Sequence, residues 1–234
     1  MKKLLFLVLL SCFLGACADS LKRSLPSSEQ EGLRIDLGGF ELPSNLASYT
    51  PYFTKSNIVF INEEGQEVSF FMTQPAHTGQ FLVEEEYPDP NGEYQSVRYI
   101  YTAERYEFEF LSPPFGAKLE VELINSLCGD PMLDDESSVN PHLKITALGF
   151  NNPNAQEPFP NPIMDVQIDE KIFCKDGANT QFYPEFPIGN KVYQEVFYSR
   201  VLYGNTTIEV YYNFEFGILY YKDRNHTWVL DRIL

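Results

Sequence analysis

The sequence predicts an all-β domain, mainly antiparallel, and three observations carry that expectation. No helical period is sustained after the N-terminal apolar segment. Two-residue alternation recurs instead, most cleanly where Tyr106, Phe108 and Phe110 alternate with Arg105, Glu107 and Glu109. The 234 residues also hold Phe 19 and Tyr 15 against Trp 1, with Pro 16 and Gly 14. Aromatic rings suit pleated, half-buried surfaces, and Pro and Gly suit the turns between them. The expected architecture is a twisted sheet, a half-barrel or a two-layer sandwich built from hairpins, with few or no helices after the N-terminal apolar segment.

That segment comes first along the chain. Lys2 and Lys3 precede an apolar run that ends in Leu14-Gly15-Ala16-Cys17. Charge, then apolar residues, then small ones is the order of a secretory signal. The run from Leu4 to Cys17 holds about 14 residues, against ~20 for a membrane-crossing helix. Two other readings stay open: an ordinary signal cut after Ala18, and a second cysteine motif at Leu9-Leu10-Ser11-Cys12. Leu14-Gly15-Ala16-Cys17 resembles the lipobox of bacterial lipoproteins. That resemblance implies removal of residues 1–16, a diacylglycerol on the Cys17 sulfur and acylation of the new amino group, with palmitate among the chains. Two or more acyl chains hold a protein firmly on a bilayer. In enterobacterial lipoproteins an aspartate directly after the lipidated cysteine retains the protein in the inner membrane. Ala18 stands there, so the analogy implies the outer membrane, facing either the periplasm or the outside. Residues 17–33 are polar and read as a flexible tether. Residues 34–234 are expected to form a single β-rich domain.

Within it, Asn45-Leu46-Ala47-Ser48 suits one helical turn. Asn57–Asn62 and Glu67–Met72 form the first hairpin, turning at Glu63-Glu64-Gly65-Gln66. Both arms are nearly continuously apolar, which predicts cover on both faces. Strands follow at 80–87 and 94–102, around the turn Pro88-Asp89-Pro90-Asn91-Gly92. The alternating arm 105–110 pairs with Lys118–Leu123 across Ser112-Pro113-Pro114-Phe115-Gly116, leaving glutamates and lysine on one wet face to pair across strands. After an acidic loop at 129–140, strands are expected at 143–150 and 163–168, separated by the Asn- and Pro-rich loop 151–162.

The C-terminal stretch is a meander of strands 191–203, 206–213, 216–222 and 227–233. Its motif is Tyr211-Tyr212, Gly217-Ile218, Tyr221-Lys222-Asp223 and Trp228-Val229-Leu230. With the lipobox, this run resembles uncharacterised lipoproteins of Gram-negative cell envelopes. The resemblance covers about a tenth of the chain beyond the signal and carries no known chemistry, so Cys17 is the one functional residue it transfers.

Composition bounds the function classes. The net charge is −16, and loss of Lys2 and Lys3 makes it two units more negative. That excludes nucleic acid as a partner and argues against a basic patch for anionic head groups. With Cys12 removed and Cys17 lipidated, Cys128 and Cys174 form an even pair suited to an oxidising compartment. Their bridge would close a loop of ~47 residues, a contribution of ~4 kcal/mol. No nucleophile elbow, P-loop, GxGxxG, HExxH or paired CxxC is present. His77, His142 and His226 follow no ligand spacing and read as surface or turn residues. Asp165 and Asp169-Glu170 flank a short strand, and Asp130, Asp134, Asp135 and Glu136 share a loop without the ordered ligand spacing of a Ca²⁺ loop. No metal or cofactor is expected. The leading expectation is a non-enzymatic, lipid-anchored envelope protein that binds a protein or glycan partner and sits on the membrane through Cys17. The alternatives are a half-barrel carrier of an apolar ligand, resembling the lipoprotein-sorting carriers, and a hydrolase with paired carboxylates.

Overall fold

A computed structural model describes residues 32–89, 91–93, 96–128, 139–148, 162–169, 171–174, 179–203, 206–222 and 226–234. The residues of the expected signal and lipobox with Cys17, those of the expected tether up to residue 31, Glu170, Asp130, Asp134, Asp135 and Glu136, and residues 151–161 lie outside these.

The all-β expectation holds. The strands are β1 (Leu33–Phe40), β2 (Asn57–Asn62), β3 (Glu67–Tyr87), β4 (Val97–Ser112), β5 (Ala117–Leu127), β6 (Val139–Leu148) and β7 (Met164–Gln167). They continue with β8 (Ile172–Phe173), β9 (Asn179–Ile188), β10 (Lys191–Tyr203), β11 (Thr206–Asn213), β12 (Gly217–Lys222) and β13 (Thr227–Ile233). Among the described residues helix is confined to 3-10 turns at Leu46–Ser48, Pro51–Phe53 and Pro113–Phe115. The strands form one antiparallel sheet, not closed into a barrel, in the order β8-β7-β6-β5-β4-β3-β2-β13-β12-β11-β10-β9, with β1 beside β4. Two meanders are therefore joined by one long-range pairing, β2 with β13, in which Phe60 stands opposite Leu230.

The chain divides into two compact units. Among the described residues the smaller comprises 32–35 and those within 86–98. In it the Asp89 carboxylate accepts from the amides of Asn91 and Glu93 at 2.9 and 2.8 Å, the side-chain turn geometry that aspartate favours. Leu33 N–H donates to the Ser96 carbonyl at 2.9 Å.

The larger unit, 36–85 and 99–234, holds the core. Alternation decides which side chains meet there. Phe108 and Phe110 on β4 stand opposite Val121 and Leu119 on β5, which stand opposite Ile145 and Ala147 on β6. All are fully buried. Phe60, Phe70, Val210, Tyr212, Ile218, Tyr221 and Trp228 from the other strands join the same cluster. Each such side chain contributes ~1.5–3 kcal/mol when taken out of water, so this core is the main driving force for the sheet. The opposite face of β4–β5 is wet. Arg105 pairs with Glu107 and Glu122 at 3.6 and 3.4 Å, and Lys118 pairs with Glu109 and Glu120. The two ends of the sheet approach each other. Ser199 Oγ donates to the Ile163 carbonyl, Lys171 pairs with Glu195, and the Phe173 ring meets Phe197 edge-on at 6.0 Å.

Several features differ from the sequence expectation. Strands 67–72 and 80–87 are one strand, β3, running through Pro75. β2 begins at Asn57, opposite Phe71, so β3 outruns it and Pro75 needs no amide for that neighbour. β2 is buried on both faces at Ile58, Val59 and Phe60, but Phe71 on the other arm is half exposed. β1, β8 and β9 are additional strands. β9 carries Pro184 and Pro187 and is an edge strand, the place where a sheet tolerates proline.

Candidate functional site

Two places on the larger unit gather groups that a sheet does not need for its own packing. The first is the outer face of β9–β12. In β10 and β11, Phe197, Val210 and Tyr212 point into the core, so Tyr198 and Tyr211 point away from it. Register then places Tyr198 opposite Tyr211, Tyr211 opposite Tyr220, and Tyr220 opposite Val229. The Tyr198 and Tyr211 rings lie 4.7 Å apart, and Tyr211 and Tyr220 lie 5.0 Å apart. Phe186 stacks on Tyr211 at 4.9 Å and 25°, and Tyr183 lies 4.6 Å from Phe186. The result is a continuous band of half-buried rings. Beside it runs a polar row in the same register, Arg200 opposite Glu209 and Glu209 opposite Lys222. Glu209 sits 3.9 Å from Arg200 Nε and 3.8 Å from Lys222 Nζ. Burial pushes the phenols of Tyr198, Tyr211 and Tyr220 up, so all three stay neutral donors.

The second place is the outer face of β5–β7. Cys128 and Cys174 are joined there by a disulfide, with Cα atoms 4.9 Å apart. Cys174 Sγ lies 3.9 Å from His142 Nε2. On the far side of that ring, Nδ1 lies 2.8 Å from Asp165 Oδ1, and because an ionised carboxylate only accepts, the ring donates there as Nδ1–H. His142 is thus neither a surface nor a turn residue. It sits on β6 with no exposed area. Asp165 also lies 3.9 Å from Lys144 Nζ, and Lys144 donates to Ser126 Oγ at 3.0 Å. Ser126 in turn donates to Glu85, which accepts from Tyr101 as well. A polar chain therefore runs from Tyr101 to the disulfide. His226, by contrast, packs its ring against Trp228 at 5.5 Å, and His77 lies on β3. Asp169 is exposed.

Two groups have metal-ligand chemistry within reach of one another: His142, Asp165 and Cys174; and Glu107, Glu109 and Glu120. In the first, Cys174 is held in the bridge. In the second, Lys118 and Arg105 already neutralise the carboxylates, and the hydrogen bond from Lys118 holds Glu109 below the usual carboxylate range.

Glu122 behaves oppositely. Burial pushes its carboxyl up, against the pull of Lys144 and Arg105. A carboxyl raised on folding holds its proton more tightly in the folded chain. Stability from this site is therefore present below the unfolded value, ~4.3, and is lost as pH rises through the folded value. Glu122→Gln keeps the shape without the charge. It is expected to be at least as stable as wild type at pH ~7, with the difference closing below pH ~4. Urea midpoints at the two pH values check this, and a clear loss for the variant at neutral pH contradicts it.

Among the described residues no helix is long and apolar enough to cross a membrane. No family model, no curated protein and no solved structure matches this chain.

Proposed function

We propose that this chain is a non-enzymatic, lipid-anchored binding protein of the bacterial envelope that holds glycan chains on the aromatic band of β9–β12. The observation that carries the reading is the row Tyr198–Tyr211–Tyr220, extended by Phe186 and Tyr183, beside the charged row Arg200–Glu209–Lys222. A pyranose ring offers one apolar face and a rim of hydroxyls. Adjacent rings take the apolar face, and a neighbouring carboxylate with two cations takes the hydroxyls. The interior of the larger unit is filled by side chains such as Phe108, Phe110, Leu123 and Tyr212. That supports a surface site over the cavity of an apolar-ligand carrier. The acidic residues of β4–β5 are paired with Arg105 and Lys118, which favours a solvated face over a hydrolytic pair. In this reading Cys17 ties the domain to the outer membrane, the residues between it and β1 give it reach, and the Cys128–Cys174 bridge belongs to an oxidising envelope.

The test uses the full chain purified in detergent, with isolated peptidoglycan sacculi and lipopolysaccharide as probes in co-sedimentation. Wild type is expected to bind one of them, and the pair of changes Tyr198→Ala and Tyr211→Ala to weaken it by about tenfold or more, roughly 1.4 kcal/mol. Intact mass of the same preparation reads the acyl chains on Cys17, which Cys17→Ala removes. A folded wild type that binds neither probe overturns the glycan reading, and an unacylated mature chain overturns the anchor.

A further inference from the structure

We propose that Cys128–Cys174 is an exchangeable disulfide, with Cys128 the sulfur attacked and Cys174 the leaving sulfur received by His142. The geometry is that of a leaving sulfur, an imidazole that stabilises its thiolate and a carboxylate that orients the imidazole. Cys174 Sγ faces His142 Nε2 at 3.9 Å, and Asp165 Oδ1 holds Nδ1–H at 2.8 Å. Because Nδ1 carries the proton toward the carboxylate, Nε2 is the free acceptor and points at the sulfur. A bridge that served packing alone would need no fully buried imidazole aimed at it, and burying such a ring is unfavourable unless both nitrogens are used. Cys128 and Cys174 are each partly exposed as residues, whereas His142 is fully buried.

A thiolate of an external dithiol bonds to Cys128 Sγ, the Cys128–Cys174 bond breaks, and its electron pair goes to Cys174. The proton released by the dithiol is taken up at His142 Nε2, giving an imidazolium beside the Cys174 thiolate, with Asp165 stabilising the cation. The second thiol of the reductant then displaces Cys128. The reductant leaves as a disulfide, and two electrons and two protons have passed to the protein. A sulfur whose thiolate is stabilised leaves faster, which is why attack falls on Cys128.

The charged groups around the pair act in both directions. Lys144 lies 3.9 Å from Asp165 and weakens its hold on an imidazolium, and Glu122 and Arg105 stand beyond Lys144. Lys171, close in sequence to Cys174, is paired with Glu195. The cross-strand neighbours of His142 are Ile124 and Gln167, which carry no charge. Burial disfavours the thiolate, whereas His142 with Asp165 favours it.

The full chain in detergent is equilibrated with mixtures of reduced and oxidised dithiothreitol, and the reduced fraction is read by thiol alkylation and intact mass. His142→Gln is expected to need about a hundredfold more reducing ratio than wild type, roughly 60 mV for this two-electron couple. In Cys128→Ser, which isolates Cys174, the ultraviolet absorbance of the thiolate is expected to titrate below the ordinary ~8.5. Asp165→Asn is expected to fall between wild type and His142→Gln in the reduction ratio. A Cys174 thiolate that titrates at or above ~8.5 overturns the proposal, and this reading stands even where His142→Gln fails to fold. Equal reduction ratios for folded wild type and His142→Gln overturn it as well.

Discussion

Gly217→Ala is expected to destabilise the protein by about 4 kcal/mol, the sum of three effects at one residue. Gly217 sits at φ +73°, where a residue with a Cβ is strained by ~1–2 kcal/mol. A Cβ there would stand 2.2 Å from the hydroxyl of Tyr52 and 2.5 Å from its Cζ, so the ring must move. It has nowhere to go. Tyr52 is buried in the core, 4.7 Å from the Phe110 ring and 6.0 Å from Phe108. Overpacking of this kind costs ~1–3 kcal/mol. Displacing the ring also breaks the bond in which Ile218 N–H donates to Tyr52 Oη at 2.9 Å, leaving a buried amide unpaired at ~1–3 kcal/mol. At this chain length the loss lowers the melting temperature by roughly 10 °C.

The mechanism makes a sharper demand than the magnitude. Tyr52→Phe alone loses only the bond to Ile218 and is expected to cost ~1–3 kcal/mol. With the hydroxyl gone, the closest clash in Gly217→Ala is relieved and the lost bond has already been counted. The double variant is therefore expected to cost less than the two single changes added together, by ~1 kcal/mol or more. Strictly additive losses in urea unfolding would mean that the two residues do not meet as described.

Most strands were legible because alternation is a local property. Tyr106, Phe108 and Phe110, or Leu119, Val121 and Leu123, announce both a strand and the side it buries. What alternation does not contain is a partner. Nothing in Phe60 or Leu230 names the other, although they stand opposite across the β2–β13 pairing that joins the two meanders. β9 was hidden by Pro184 and Pro187, which argue against a strand unless it is already known to lie at an edge. β8 is two residues long and leaves no pattern at all. The tyrosine band was hidden for the same reason as the β2–β13 pairing. Tyr198, Tyr211 and Tyr220 are spaced 13 and then nine residues apart, and only the register turns them into neighbours. His142 misled in a more instructive way. It shares a side of β6 with Lys144, which marks that face as polar, and a polar face normally means water. Here Asp165, Gln167 and His142 are buried instead, beside the bridged cysteines. The signal that was available is Cys174, which the sequence placed just beyond the strand of Asp165, so that pairing it with Cys128 also draws in whatever stands on that strand.

Removal of the bridge is the second large effect. Cys128→Ala with Cys174→Ala is expected to lower stability by about 2–4 kcal/mol, because the crosslink ties residues 46 apart and restricts the unfolded chain by ~4 kcal/mol in the chain-entropy view. Urea unfolding without reductant measures it, and a double variant within about 1 kcal/mol of wild type would remove the bridge from the list of things that hold this sheet. Linkage connects this number to the exchange proposed above. Whatever stability the bridge gives the fold, the fold returns to the bridge as resistance to reduction. His142 acts the other way, stabilising the reduced pair through the Cys174 thiolate. The two contributions separate experimentally. The entropic part is unaffected by His142→Gln and appears only when the sulfurs are removed. The imidazole part appears in the reduction ratio of the intact protein and depends on pH. A bridge whose reduction ratio does not depend on pH beyond the protons of the two thiols themselves would be held by the fold alone. A bridge that becomes harder to reduce in His142→Gln, while urea stability of the oxidised forms stays close, would have been left exchangeable by the buried histidine beside it.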